Sequence, residues 1–408
     1  MGKLRVAIQG CCHGELDKIF QELEQLHKRN PIDLLLILGD FQSLRSENDF
    51  KSISIPPKYQ KLGDFQNYYK DSNLKPCVPT IFIGGNHESM RHLMLLPFGG
   101  YVSNDIYFMG YSNMIWFKGL RIGGLSGIYK HWDLNKNRPG YKFLEEGNNW
   151  EKNVRSLYHV RKTDLLPLYM TACTRNEYNE KNGVNIMMSH DWPNGIVYHG
   201  NYKELLKVKP FFKRDVLYNQ SLGSELNWEL LNLFKPEWWV SAHLHVRYTA
   251  EFTHEDKKRK MEDIKTTNQD EISLDLDDLD SSSTEEEEKT TPVKTTHFLA
   301  LDKCLPRRKH LEIIEIEGNE NHFSSTSNDM YYDPEFINNL SYIEKNKEHS
   351  KIKNTPLNKI DINELISDNK IMQLDEIDWN KYKIPNYETD VQKLETEQTN
   401  SFIEQFLK

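Results

Sequence analysis

Five short clusters in the 408-residue chain hold residue types that bind metal ions or move protons. They read Gly10-Cys11-Cys12-His13-Gly14, Gly39-Asp40, Gly84-Gly85-Asn86-His87-Glu88, Ser189-His190-Asp191 and Ala242-His243-Leu244-His245. Singly, each has an ordinary structural reading. Asp40 caps a helix or forms a turn, Asn86 turns the chain, Cys11 is a small buried hydrophobe and His190 a hydrogen-bonded imidazole. Together they supply imidazoles, a carboxylate, an amide oxygen and a thiolate. That donor set holds two divalent ions about 3.5–4 Å apart. Asp40 is the natural bridge, since a carboxylate has two oxygens to share. Such a pair polarises a phosphoryl group and lowers the pKa of a bound water. The resulting hydroxide attacks phosphorus in line, and no protein nucleophile is needed.

Each cluster follows a predicted strand. Residues 4–8, 33–38, 78–83, 184–188 and 238–240 are short apolar runs, as expected of strands buried on both faces. Leu16, Ile19, Phe20, Leu23 and Leu26 recur at helical spacing, so a helix follows the first strand. Alternating strands and helices predict an α/β fold, whose sites form in loops at the carboxyl ends of strands. Residues 106–109, 115–117 and 120–122 read as a meander turning at Gly110 and Gly119. His243 and His245 fall on the same side of an extended chain. Further on, 298–301 and 311–316 read as strands, and 336–340 and 402–407 as helices.

Charge divides the chain. The whole carries −9, which argues against a polyanionic partner. Residues 1–253 nevertheless hold 31 basic and 26 acidic residues, whereas 254–408 hold 21 and 35. Ten acids and no bases lie in 270–288. Composition therefore predicts a catalytic domain over 1–253, a disordered acidic linker over 254–295 and a smaller C-terminal α/β domain over 296–408. Mean hydropathy is −0.72, and no apolar run approaches the ~20 residues that span a bilayer. No membrane partner is expected. Five cysteines, widely spaced and without a C-x-x-C pair, fit a reducing compartment.

The order C-x-H, G-D, G-N-H-E, S-H and x-H-x-H resembles the calcineurin-like metallophosphoesterase superfamily. Cys11 stands where that superfamily usually has aspartate, and Ala242 where it usually has glycine. With its flanks, Ile8-Gln9-Gly10-Cys11-Cys12-His13-Gly14-Glu15-Leu16 is similar to the lariat RNA debranching enzymes. So are Gly39-Asp40-Phe41-Gln42-Ser43, Ser189-His190-Asp191-Trp192-Pro193 and the run from Phe298 to Arg307. The resemblance implies an α-β-β-α sandwich and hydrolysis of the 2′–5′ phosphodiester at the branch point of excised intron lariats. The products would be linear RNA with a 5′ phosphate and a free 2′ hydroxyl. Two divalent ions are implied. Cys11, His13 and His245 would bind one, Asn86, His190 and His243 the other, with Asp40 bridging. His87 would stabilise developing charge and protonate the leaving oxygen. Relatives often give that histidine an aspartate partner, and Ser43 occupies the position here. A thiolate at Cys11 favours zinc or ferrous iron over magnesium, with manganese a substitute in vitro.

Residues 129–161 form an insert with seven bases and four acids among several aromatics. Aromatic faces stack unpaired bases and interleaved cations meet phosphates. The resemblance places a lariat-recognition loop here, which implies RNA contacts from Tyr129, Trp132, Arg138, Lys142, Trp150 and Arg155. The alternative is a subdomain whose aromatics form a small core of their own. Residues 207–214, with Pro210-Phe211-Phe212, are a second basic-aromatic segment, and Lys257-Lys258-Arg259-Lys260 could serve as a nuclear signal. The expectation is a monomer acting on branched RNA rather than DNA, in the nucleus and also the cytoplasm.

Overall fold

Largely apolar runs of three to six residues become strands where their faces are covered. The structure, a computed structural model, describes residues 3–254, 294–369, 377–387 and 394–408. Apart from its ends, the linker expected at 254–295 lies outside the described residues, and with it the 257–260 basic run and the 270–288 acids. The described strands are β1 Leu4–Gln9, β2 Leu34–Ile37, β3 Thr80–Phe82, β4 Gly100–Ser103, β5 Ile106–Phe108, β6 Ser112–Phe117 and β7 Leu120–Leu125. After a helical stretch come β8 Ile186–Ser189, β9 Trp238–Ser241, β10 Tyr248–Thr253, β11 Thr295–Ala300, β12 Leu311–Ile316 and β13 Met330–Tyr332. They form two sheets, ordered β12-β1-β2-β3-β5-β4 and β10-β11-β9-β8-β7-β6-β13. The central strands of each are parallel.

Alternation sorts the first sheet's side chains. Val6, Ile8, Leu34, Leu36 and Ile81 join Ile122, Met188 and Val240 of the second sheet in one core. Ala7, Leu35, Ile37 and Phe82 face outward onto the helix Leu16–Arg29. That helix buries Leu16, Ile19, Phe20 and Leu23, one stripe at i, i+3, i+4 and i+7. Helices Lys162–Cys173, Glu225–Phe234 and Pro334–Asn346 pack with the second sheet. The result is the expected α-β-β-α sandwich.

One expectation changes. Residues 106–122 are not one meander. β5 pairs with β3 and β4 in the first sheet, and the chain then crosses at Gly110 to begin the β6–β7 hairpin of the second. A side chain at Gly110 would meet the backbone of Gly99 at 2.5 Å, so only glycine fits the crossing. Strands from both sides of the expected linker share the two sheets. β11 lies between β10 and β9, β12 pairs with β1, and β13 pairs with β6. Residues beyond 295 thus complete both sheets.

Candidate metal centre

All five clusters lie at the carboxyl ends of β1, β2, β3, β8 and β9, where the two sheets open together. Close approach there depends on glycine. A Cβ on Gly39 would come within 2.4 Å of His190 Nδ1, and one on Gly85 within 2.3 Å of Asp40 Oδ1. The backbone is also strained. His13, Asp40, His243 and His245 all have φ between 48° and 60°. The left-handed region costs non-glycine residues of order 1–3 kcal/mol each and clusters at functional sites. His243 and His245 are therefore not on an extended chain. Two consecutive turns, not a pleat, bring both imidazoles into the cleft.

Cys11, His13, Asp40 and His245 offer four ligand atoms, all within 4.8 Å of one another. His13 Nε2 lies 3.2 Å from His245 Nε2 and 3.6 Å from Asp40 Oδ2. Two ligands about 2.0–2.1 Å from one tetrahedral ion stand about 3.3 Å apart, so these separations suit a shared cation. The other oxygen of Asp40 faces a second set. Oδ1 is 3.4 Å from His190 Nε2, which is 3.2 Å from Asn86 Oδ1. The His243 ring is centred 5.0 Å from that of His190. The predicted ligands thus converge in two groups on the two oxygens of one carboxylate. Cys11, Asp40 and His190 form a buried floor, and His13, Asn86, His87, His243 and His245 a half-buried rim.

Protonation fits cation binding. Burial pushes His190 down to about 4 and His245 down to about 3, so both are neutral near pH 7. Burial opposes ionisation of Asp40. His190, His13, His87 and the His87 N–H outweigh it and hold the carboxyl well below the usual range. Burial, with Asp40 beside it, pushes the Cys11 thiol up, although the His243 N–H donates to its sulfur. A divalent cation reverses that balance, since a coordinated thiol is deprotonated. Neutral imidazoles, an ionised carboxylate and a thiol awaiting a positive charge fit a two-ion centre.

Four further groups hold the site, and the sequence assigned none of them a role. Glu88, fully buried, accepts the N–H groups of Phe41, Gln42 and Gly85 at 2.8–2.9 Å. It thereby ties the Asp40 loop to the Asn86 loop. The Gln42 amide lies 3.2 Å from His13 Nδ1 and fixes that ring. Asp191 Oδ1 is 3.6 Å from His243 Nε2, while its Oδ2 accepts the Tyr129 N–H. His87 Nδ1 lies 2.9 Å from the Ser54 carbonyl. The missing aspartate partner of His87 is replaced by that backbone oxygen. Ser43 instead gives its own carbonyl to His92. A main-chain carbonyl leaves no mark in a sequence, whereas the Glu88 letter was visible without its role.

The insert divides. Trp132 is 53% exposed with Lys130 Nζ 5.8 Å from its ring centre, and Lys142 and Arg155 are exposed. Tyr129 is half-buried at the edge of the main core. Arg138 and Trp150 turn inward. The Arg138 guanidinium pairs with Asp164 at 2.8 Å, donates to the carbonyls of Leu157 and His159 and lies 3.6 Å from the Tyr111 ring centre. Trp150 is buried with Leu144, Leu157 and Met90 and donates to Glu145. The insert therefore has a small core, shared with Met90; Trp150 belongs to it, and Arg138 packs on Tyr111 at its edge. A residue type cannot tell an outward aromatic from an inward one when the helices that carry it are short.

The calcineurin-like phosphoesterase family matches residues 4–247, and the C-terminal domain of the lariat debranching enzymes matches 293–406. The lariat debranching enzyme of Saccharomyces cerevisiae is 52% identical over 419 residues, covering 100% of both chains. That of Homo sapiens is 39% identical over 339 residues, or 82% of this chain and 53% of that protein. That of Arabidopsis thaliana is 36% identical over 82% of this chain and 67% of its own length. With a centre of two ligand sets on one carboxylate and relatives matching across both ends of the chain, the protein belongs to the lariat debranching enzymes, metal-dependent phosphodiesterases of the calcineurin-like class.

Proposed function

We propose that this chain hydrolyses the 2′–5′ phosphodiester at the branch of lariat RNA. Cys11, His13 and His245 would hold one divalent ion, and Asn86, His190 and His243 another, with Asp40 between. One observation carries the reading: Oδ2 of Asp40 faces His13 at 3.6 Å while Oδ1 faces His190 at 3.4 Å. When bound, the ions supply charge neutralisation at the phosphoryl oxygens and an activated water. The chain does the rest. The buried floor of Cys11, Asp40 and His190 would hold the ions from below, and the half-buried rim leaves one side open to substrate. His87 moves the proton. With Nδ1 held by the Ser54 carbonyl, Nε2 is the nitrogen that gives a proton to the departing 2′ oxygen. Asp40 also accepts the His87 N–H at 2.8 Å, which keeps the acid in register with the bridge.

The thiolate favours zinc or ferrous iron at the Cys11 position, with manganese a substitute. Fluorescence of labelled branched RNA and metal counting by mass spectrometry test the assignment together. Cys11→Ala should lose about half of the bound metal and about 100-fold in branched-RNA cleavage, the upper end of what losing a partner around a metal costs. Unchanged stoichiometry would defeat the ligand assignment.

A further inference from the structure

Residues 196–220 leave the second sheet as short helical turns, among them Tyr202–Val208 and Pro210–Phe212. Their outer face is aromatic where water should select polar side chains. Phe211 is 70% exposed and Tyr218 75%. Phe211 is nevertheless held in place. Buried Phe212 meets its ring edge-on at 4.5 Å, and Lys209 Nζ lies 5.7 Å from its centre. Cations surround it. Residues 196–220 carry five Lys and Arg against two acids. Lys207 pairs with Glu204, but Lys203, Lys209, Lys213 and Arg214 make no ion pair among the described residues. Exposed aromatic faces, one with a cation beside it, in a segment rich in unpaired cations suit a flexible polyanion with flat bases.

The surface is continuous with the metal centre. Gly200 bridges Ala250 of β10, the strand that follows His245. Leu205 and Val208 line a cavity of about 250 Å³ with Val246 and Arg247. Lys209 feels the charges of Asp302, Arg308 and Lys303, and Lys303 in turn acts on His13 and His245. The insert, by contrast, touches the centre at its His243 end through Asp191. A branch point joins three strands, so a substrate leaves the centre in more than one direction.

We propose that the 196–220 face is a second RNA surface, a platform for one single-stranded arm leaving the branch, with bases stacked on Phe211 and Tyr218 and phosphates on Lys209, Lys213 and Lys303. The proposal rests on the lariat-RNA reading, and a charge-complementary protein segment is the competing occupant. Stacking is tolerant of sequence, because every base presents a π face. The platform would therefore raise affinity for long arms without selecting bases.

The full chain tests it in two measurements. Steady-state cleavage is compared on a minimal branched trinucleotide and on a branched RNA with long arms. Wild type should show a lower KM for the long-armed substrate, and Phe211→Ala should remove roughly a tenfold advantage. Anisotropy of a labelled single strand needs no turnover, so it reports even if cleavage of branched RNA fails. There Phe211→Ala should weaken binding by a similar factor. Lys213→Ala should lower the slope of log Kd against log salt by about 0.7. Leu74→Ala, an exposed apolar residue between the helix Phe65–Lys70 and β3 of the first sheet, is the control. Equal losses on both substrates would mean damage at the centre and overturn the proposal. Unchanged KM and Kd would overturn it as well, leaving the face to a protein.

Discussion

Glu88 does a different job from the residues around it. It faces backbone, not substrate, and its two oxygens accept three N–H groups from two loops. Burial, and then the nearby charge of Asp40, pushes its carboxyl up to about 8. The hydrogen bonds of a carboxylate thus sit in a place that disfavours charge, a combination kept for geometry. Glu88→Gln should expose the consequence. The new amide would point N–H groups at the Gln42 N–H, leaving a buried donor against a donor. Such a mismatch costs about 1–3 kcal/mol. The urea midpoint should fall accordingly, and bound metal should fall with it as the two loops part. An unchanged midpoint would show that Glu88 is not the tie. At this scale the sequence was most legible, because Cys11, His13, Asp40, Asn86, His190, His243 and His245 are side chains with distinctive chemistry. It was least legible where backbone acts, as at Ser54, or where a side chain turns inward, as Arg138 and Trp150 do.

Elements far apart in sequence hold those residues. The helix Leu394–Phe402 reaches back to Arg45, Tyr69 and His92, on either side of the Asn86–His87 loop. Glu395 lies 3.0 Å from His92 Nε2, 3.2 Å from the Tyr69 hydroxyl and 3.5 Å from Arg45 Nη1. Arg45 in turn grips Asp49 with two hydrogen bonds from its guanidinium, at 3.0 and 3.1 Å. The same helix closes the β4 edge, where the Gln398 amide pairs with both the N–H and the carbonyl of Tyr101. That pairing covers backbone groups that an open edge would leave free. Burial raises the Glu395 carboxyl. The His92 hydrogen bond and charge, with Arg45, outweigh it and bring the carboxyl down to about 2. A carboxyl depressed on folding contributes stability that is present above its unfolded pKa and is lost as pH falls towards the folded one. Here the window runs from about 4.5 down to about 2, and the contribution is about 3 kcal/mol. Glu395→Gln should therefore be less stable than wild type by about that amount at pH 7. The gap should close on acidification through that window, measured as the difference in unfolding free energy. A gap independent of pH would mean that the carboxylate charge contributes nothing. No sequence pattern near 395 announced this contact, because its partners lie 303 to 350 positions away.

Over the whole molecule, charge and connectivity separate. Thr253 pairs directly with Thr295 across the β10–β11 ladder, so the segment between them is an excursion from one hairpin. The strands on either side are structural. β11 fills the gap between β10 and β9, and β12 covers β1. A chain stopped at 253 loses both, whereas a shortened excursion loses neither. Removing residues 270–288 would take the net charge from −9 to +1. It would also roughly halve the loop, which by closure entropy stabilises the fold by only about 0.6 kcal/mol. Thermal unfolding and metal content should accordingly stay as they were. Association with RNA should change. Ten negative charges tethered beside the body repel a polyanion over distances comparable with the Debye length, about 10 Å at 0.1 M salt. Stopped-flow binding of branched RNA should be several-fold faster for the deletion at low salt, and the two rates should converge near 1 M, where screening shrinks to about 3 Å. A constant ratio at every salt concentration would sink the electrostatic account and point to a contact made by the segment itself. Equal rates throughout would mean that RNA is recruited by the local cations of the insert and the 196–220 face, with the net charge of the chain irrelevant to encounter.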